Sequence, residues 1–112
     1  GAPPMNLLPA EMTDNGIELG GYRAPHDAPH RGSITLGIRP ERAHLNGHSD
    51  GIQLDVGIVE ELGAHRLIHG TIGTHEVTIT QDAELPVPEG RVGLSFRHDD
   101  LHLFDPQSGQ RM

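Results

Sequence analysis

Cysteine, lysine and tryptophan are all missing from this chain of 112 residues, and its aromatic side chains stop at Tyr22, Phe96 and Phe104. Without cysteine there is no disulfide, no thiolate zinc site and no sulfur nucleophile. Without lysine, the glycine-rich phosphate loop ending in Gly-Lys-Ser/Thr cannot be written, and the polypeptide alone is predicted not to hydrolyse ATP. A formal net charge of −8 opposes phosphate backbones and anionic membrane surfaces, so no nucleic-acid partner is expected. No apolar run approaches the ~20 residues of a membrane span, and the N-terminus has neither the basic nor the apolar region of a secretory signal. The expectation is a soluble, cytoplasmic protein.

Glycine and proline are plentiful, at 15 and 9 residues, which calls for short elements and many turns. A chain of this size forms one domain that buries about 60–70% of its unfolded surface, and the aromatic shortage leaves Val, Ile and Leu to build its core. Alternation, the mark of half-buried strands, dominates. Ile34, Leu36 and Ile38 share one face of a strand stopped by Pro40. Ile52, Leu54, Val56 and Ile58 repeat the pattern with Gln53, Asp55 and Gly57 on the other face. Leu67–Ile72 is predicted to pair back on this strand through a turn at Leu62-Gly63-Ala64-His65. Val77 and Ile79, then Val92, Leu94 and Phe96, mark two more strands, separated by a proline-bearing link over 85–90 that cannot lie inside a sheet. Met5–Met12 and Gly16–Leu19 read as a hairpin around Asp14-Asn15-Gly16, whose Asn-Gly pair is a two-residue turn signal. Tyr22–Gly32 reads as an exposed loop, Asn46–Gly51 as a second one, and helix signals are confined to one turn near His98–Leu101. Seven or eight short strands with frequent glycine turns predict an all-β antiparallel barrel, closed or nearly so.

Nine histidines invite a metal reading, because many fall four apart: His26/His30, His44/His48, His65/His69 and His98/His102. That spacing serves one ion on a helix, whereas on a strand it separates the rings by about 13 Å. Only His98–His102 could wind into a suitable turn, and it reads better as a solvated one; no metal is expected. Ser33, Ser49, Ser95 and Ser108 lack the Gly-x-Ser-x-Gly elbow of a nucleophile. Glu60-Glu61 and Asp99-Asp100 read as solvated carboxylates, since neighbours on a strand face opposite ways. Arg39 and Glu41, held at the end of a rigid strand, are suitable contact points for a partner or a second copy of the chain.

Leu36-Gly37-Ile38-Arg39-Pro40-Glu41, the hairpin residues Glu60–Ala64 with His69-Gly70, and Leu101–Asp105 with Gly109 and Arg111 together resemble the C-terminal regulatory domain of ATPase subunits of sugar-type ABC importers. Residues 1–8 look like the segment leading into that domain. The resemblance implies an oligonucleotide/oligosaccharide-binding-like (OB-like) barrel of TOBE type, filling residues 1–112 as a single regulatory domain, with the nucleotide-binding domain absent. It implies a second copy of the same subunit and a regulatory protein as partners, with Gly37, Arg39 and Glu41 binding the partner. ATP and magnesium, like the contacts with membrane permease subunits at the inner face of the cell membrane, belong to the absent domain. Gly20-Gly21-Tyr22-Arg23 and Gly109-Gln110-Arg111 look most like the branch importing sn-glycerol 3-phosphate. The rival reading, a barrel binding an oxyanion or saccharide, has few aromatics for stacking and no lysine for anions.

Overall fold

The computed structural model describes residues 3–47 and 50–112. Ten strands run in order: β1 (Asn6–Thr13), β2 (Gly16–Leu19), β3 (Tyr22–Ala24), β4 (Gly32–Ile38), β5 (His44–Asn46), β6 (Gln53–Glu61), β7 (His65–Ile72), β8 (His75–Asp82), β9 (Arg91–Ser95) and β10 (His102–Phe104). Two single 3₁₀ turns, Pro40–Arg42 and His98–Asp100, interrupt them. The first sheet has the order β10-β4-β1-β2-β3 and the second β5-β9-β6-β7-β8. Every strand pairing is antiparallel. This is the expected all-β, OB-like arrangement, with more strands than the sequence announces.

Alternation explains the core. Ile34, Leu36 and Ile38 of β4 are buried beside Leu8 and Met12 of β1, and they face Ile68, Ile72, Val77 and Ile79 from the second sheet. Each such side chain contributes about 1.5–3 kcal/mol when fully removed from water. The β1–β2 hairpin forms as predicted, with Thr13 opposite Gly16. Its turn residues, however, are Asp14 and Asn15 at negative φ, and Gly16 follows at φ 115°. The glycine therefore opens β2 directly after a two-residue turn, in unbroken register, and is not half of a mirror-image turn.

Three departures from expectation have physical causes. Tyr22–Ala24 is a strand, not a loop, because Gly20 and Gly21 both adopt positive φ (59° and 85°) and so build the tight hairpin that turns β2 into β3. His44–Asn46 is a strand as well, held by pairing to β9. Ile58 does not continue the buried face of β6. The register slips between Val56 and Ile58, with Val56 opposite Gly70 and Ile58 opposite His69. The extra residue, Gly57, reverses the side-chain alternation and leaves Ile58 69% exposed.

The sheets are tied together at two places by polar or close backbone contacts. The Asn6 side chain donates to the carbonyls of Ile38 (3.2 Å) and Thr78 (2.8 Å), and its Oδ1 accepts the Thr78 N–H at 2.9 Å. At the other end, the Gly20 hairpin tip lies against β7, where a Cβ on Gly20 would fall 2.8 Å from the Ile72 side chain and carbonyl. The link over 85–90 stays out of both sheets, as proline requires, and its start is fixed by the buried Arg66. That guanidinium donates to Glu61 (3.1 Å), Gln81 (2.9 Å) and the carbonyls of Leu85 (2.7 Å) and Ala83 (2.8 Å).

Candidate contact surface around the Arg-Pro-Glu turn

β4 ends as its sequence demands: Arg39 is still extended (φ −71°, ψ 144°), and Pro40 opens a 3₁₀ turn closed by the Arg42 N–H to the Arg39 carbonyl at 2.9 Å. Proline fits there because the first residue of a turn owes no N–H to the chain. Pro40 and Ala43 are buried, so the turn is anchored at both ends while Arg39, Glu41 and Arg42 face solvent. Arg42 reaches Asp100 of the second 3₁₀ turn at 3.9 Å. The Arg39 and Glu41 side chains have no hydrogen bond or ion pair among the described residues.

Gly37 differs from these two. It is buried, and a Cβ at this position would sit 2.7 Å from the Met5 sulfur and 2.8 Å from Phe104 Cε2. The missing side chain lets β10 lay Phe104 across β4, so Gly37 shapes the strand end and is itself buried. Phe104 is held in turn by a bridge to Arg111 and by the chain reversal between them. In that reversal the Asp105 carboxylate accepts the N–H groups of Ser108 (2.9 Å) and Gln107 (2.8 Å), which keep it below the usual carboxylate range.

Glu41 also lines a cleft of about 370 Å3 together with Ala43, His44 and Leu45 on one wall and His65, Ile79, Thr80, Gln81, Asp82 and Leu85 on the other. Arg39 stands outside it. No local pattern marks this cleft, because its walls lie about twenty to forty residues apart along the chain.

The histidines separate. His26 and His98 point Nδ1 at Nδ1 across 2.7 Å. Their centroids are 4.8 Å apart with planes within 23°, a spacing near the sum of that contact and two ring radii, so the rings meet edge to edge and share a hydrogen bond. Burial, then the neighbouring His98, lower the His26 pKa, against the pull of Asp27. His102 instead lies near Phe104, and His69 sits between Glu60 (3.2 Å) and the Thr78 hydroxyl (3.3 Å). No three metal-ligating side chains gather among the described residues; His48 of the His44/His48 pair lies outside them, as does Ser49. Ser33 donates to the Glu11 carboxylate, Ser95 to the His44 carbonyl, and Ser108 accepts the Gln110 N–H, so none of these three is hydrogen-bonded to a histidine ring. Glu60 and Glu61 face apart as expected, one to His69 and one to Arg66.

Among the described residues, two antiparallel sheets carry an anchored turn from which Arg39 and Glu41 face solvent. The TOBE domain family matches residues 36–104, and the MalK OB fold domain matches residues 1–43. The chain belongs to the TOBE domain family. Among curated relatives it is 37% identical over 118 residues to the sn-glycerol-3-phosphate import ATP-binding protein UgpC of Jannaschia sp. (strain CCS1), covering all of this chain and 33% of that protein. It is 40% identical over 116 residues to the UgpC protein of Vibrio vulnificus (strain YJ016), covering 96% and 31%. With the UgpC protein of Bordetella avium (strain 197N) it shares 32% over 127 residues, covering 100% and 34%. The chain thus spans about a third of the length of these relatives. Among the described residues no helix is long and apolar enough to cross a membrane.

Proposed function

We propose that this chain is the regulatory and dimer-contact domain of the ATP-binding subunit of an ABC importer for sn-glycerol 3-phosphate or a related sugar-type solute. The observation that carries this reading is the end-to-end match to one third of proteins named for that import. In such a subunit ATP and magnesium are handled by the other two thirds, which also engage the membrane permease subunits at the cytoplasmic face. The domain itself is not an enzyme. Its work is to hold a second copy of the subunit and to receive a regulatory protein, with Arg39 and Glu41 as the charged contacts and Gly37 shaping the strand beneath them. A rigid, buried anchor at Pro40 supports this role, because pre-ordered contact groups lose little entropy on binding.

The test uses the whole ATP-binding subunit assembled with its permease. Arg39→Ala with Glu41→Gln is expected to leave basal ATP hydrolysis within about twofold while weakening dimerisation of the subunit, or its response to a regulatory protein, tenfold or more. Equal dimerisation and regulation in the variant and the parent would remove these residues from the contact.

A further inference from the structure

We propose that the unsealed seam of the second sheet, beside Glu41, accepts an extended cationic segment of a partner protein as an added strand. This deepens the contact role of Glu41 and rests on it.

β5 and β8 are the two outermost strands of their sheet, at opposite ends of its order. Nevertheless residues of both wall the same cleft, so the sheet curls until its edges face each other without pairing. Ladder alternation then fixes where their backbone groups point. Leu94 donates its N–H to the Ile52 carbonyl at 2.9 Å and so is turned toward β6. Its neighbours Gly93 and Ser95 are turned the other way, toward Asn46 and His44 of β5. Leu45, between those two, is consequently turned away from β9 and into the cleft. On the facing wall Thr78 gives its N–H and carbonyl to Asn6, away from β7, and alternation turns Thr80 the same way. β5 and β8 are not paired with each other: β5 pairs with β9 and β8 with β7.

Each wall therefore offers one N–H and one carbonyl to a strand that is not there. Folded proteins cover such edges, and strand addition is the common way for a peptide to use one. The Asn6 amide shows the edge at work: one residue pair along β8, it supplies the donor and acceptor that a peptide unit would supply at Thr80. The charge of the walls selects the occupant. Glu41 and Asp82 stand in the lining with no Arg, and His44 and His65 are the other titratable groups there, while Leu45 and Ile79 are apolar. A segment alternating an apolar residue with Arg or Lys matches both features, placing its cations against the carboxylates.

Peptide titration of the 112-residue chain, followed by amide NMR, tests this with acetyl-Val-Arg-Val-Arg-Val-Arg-amide, its Glu-for-Arg counterpart, and the arginine peptide methylated on its valine nitrogens. The arginine peptide is expected to shift the Leu45 and Thr80 amides and slow their hydrogen exchange at least tenfold. The glutamate peptide should do neither, and methylation or the pair Glu41→Gln and Asp82→Asn should weaken binding at least tenfold. Equal binding by the methylated peptide, shifts scattered over the acidic surface, or no binding would overturn strand addition without needing any variant to fold. Those results would leave the Arg39 contact standing if Arg39→Ala still impaired the assembled importer. A failure of the Arg39 contact alone would leave the seam standing if the peptide bound.

Discussion

Arg66 and Arg39 are the same residue type at the ends of strands, and the chain treats them oppositely. Arg66 is 4% exposed, with Glu61, Gln81 and two carbonyls gathered round it. Arg39 stands in solvent with no partner among the described residues. The first guanidinium is spent on the fold: its planar fork of donors ties the β6–β7 hairpin to the start of the link over 85–90, which has no sheet to hold it. The second is held out by an anchored turn and makes no hydrogen bond or ion pair among the described residues. A guanidinium with four of its five N–H groups met inside the molecule has little left for a partner, so the contrast divides structural from contact charge.

Removing the buried charge should produce the largest effect. Arg66→Ala leaves the Ala83 and Leu85 carbonyls and Gln81 without their donor, and hydrogen bonds to a charged group are worth about 1.5–3 kcal/mol. A loss of about 3 kcal/mol is expected by denaturant unfolding, and Arg66→Lys should recover less than half, since one ammonium cannot span the same acceptors. A loss below 1 kcal/mol in the alanine variant would show that water replaces the guanidinium and would erase the contrast with Arg39.

Asn6→Ala comes next. Its amide joins β1 to β8 through Thr78 across 72 residues of sequence, and Thr78 would lose the partner of both its outward groups. About 1–2 kcal/mol is expected, because the edge is accessible enough for water to replace part of the loss. Faster hydrogen exchange confined to Thr78 and the neighbouring β8 edge would locate the effect; exchange rising uniformly would instead mark Asn6 as a general stabiliser.

How far the sequence foretold these features follows from the range of the forces involved. Strands with one buried face, such as Ile34-Leu36-Ile38 in β4, declare themselves through alternation, since burial acts on every second residue. β3 and β5 span three residues each, too few for a period to show, although Gly20-Gly21 was a readable hairpin signal. Ile58 misleads because a one-residue bulge inverts the parity that the pattern relies on. Arg66 shares the parity of the buried Ile68 and Ile72 along β7, so its burial was written in the alternation and was masked by its charge. Arg39 and Glu41 could be marked by their place after a predicted strand and by family resemblance. The cleft beside Glu41 could not, because it arises from the curling of a sheet whose edges meet only in the folded chain.

The smallest expected effect is the most telling for function. Arg39→Ala removes a side chain that touches no partner among the described residues, so the stability of the 112-residue chain should change by no more than about 0.5 kcal/mol, the range of ordinary surface substitutions. Its melting temperature should stay within about 3 °C of the parent. Such neutrality gives the assembly experiment its meaning: a variant that folds like the parent but fails to dimerise or to respond to a regulator has lost a contact, not a fold. Should Arg39→Ala instead lower stability by 1 kcal/mol or more, the guanidinium would be serving the chain itself, and the distinction between the two arginines would become one of degree.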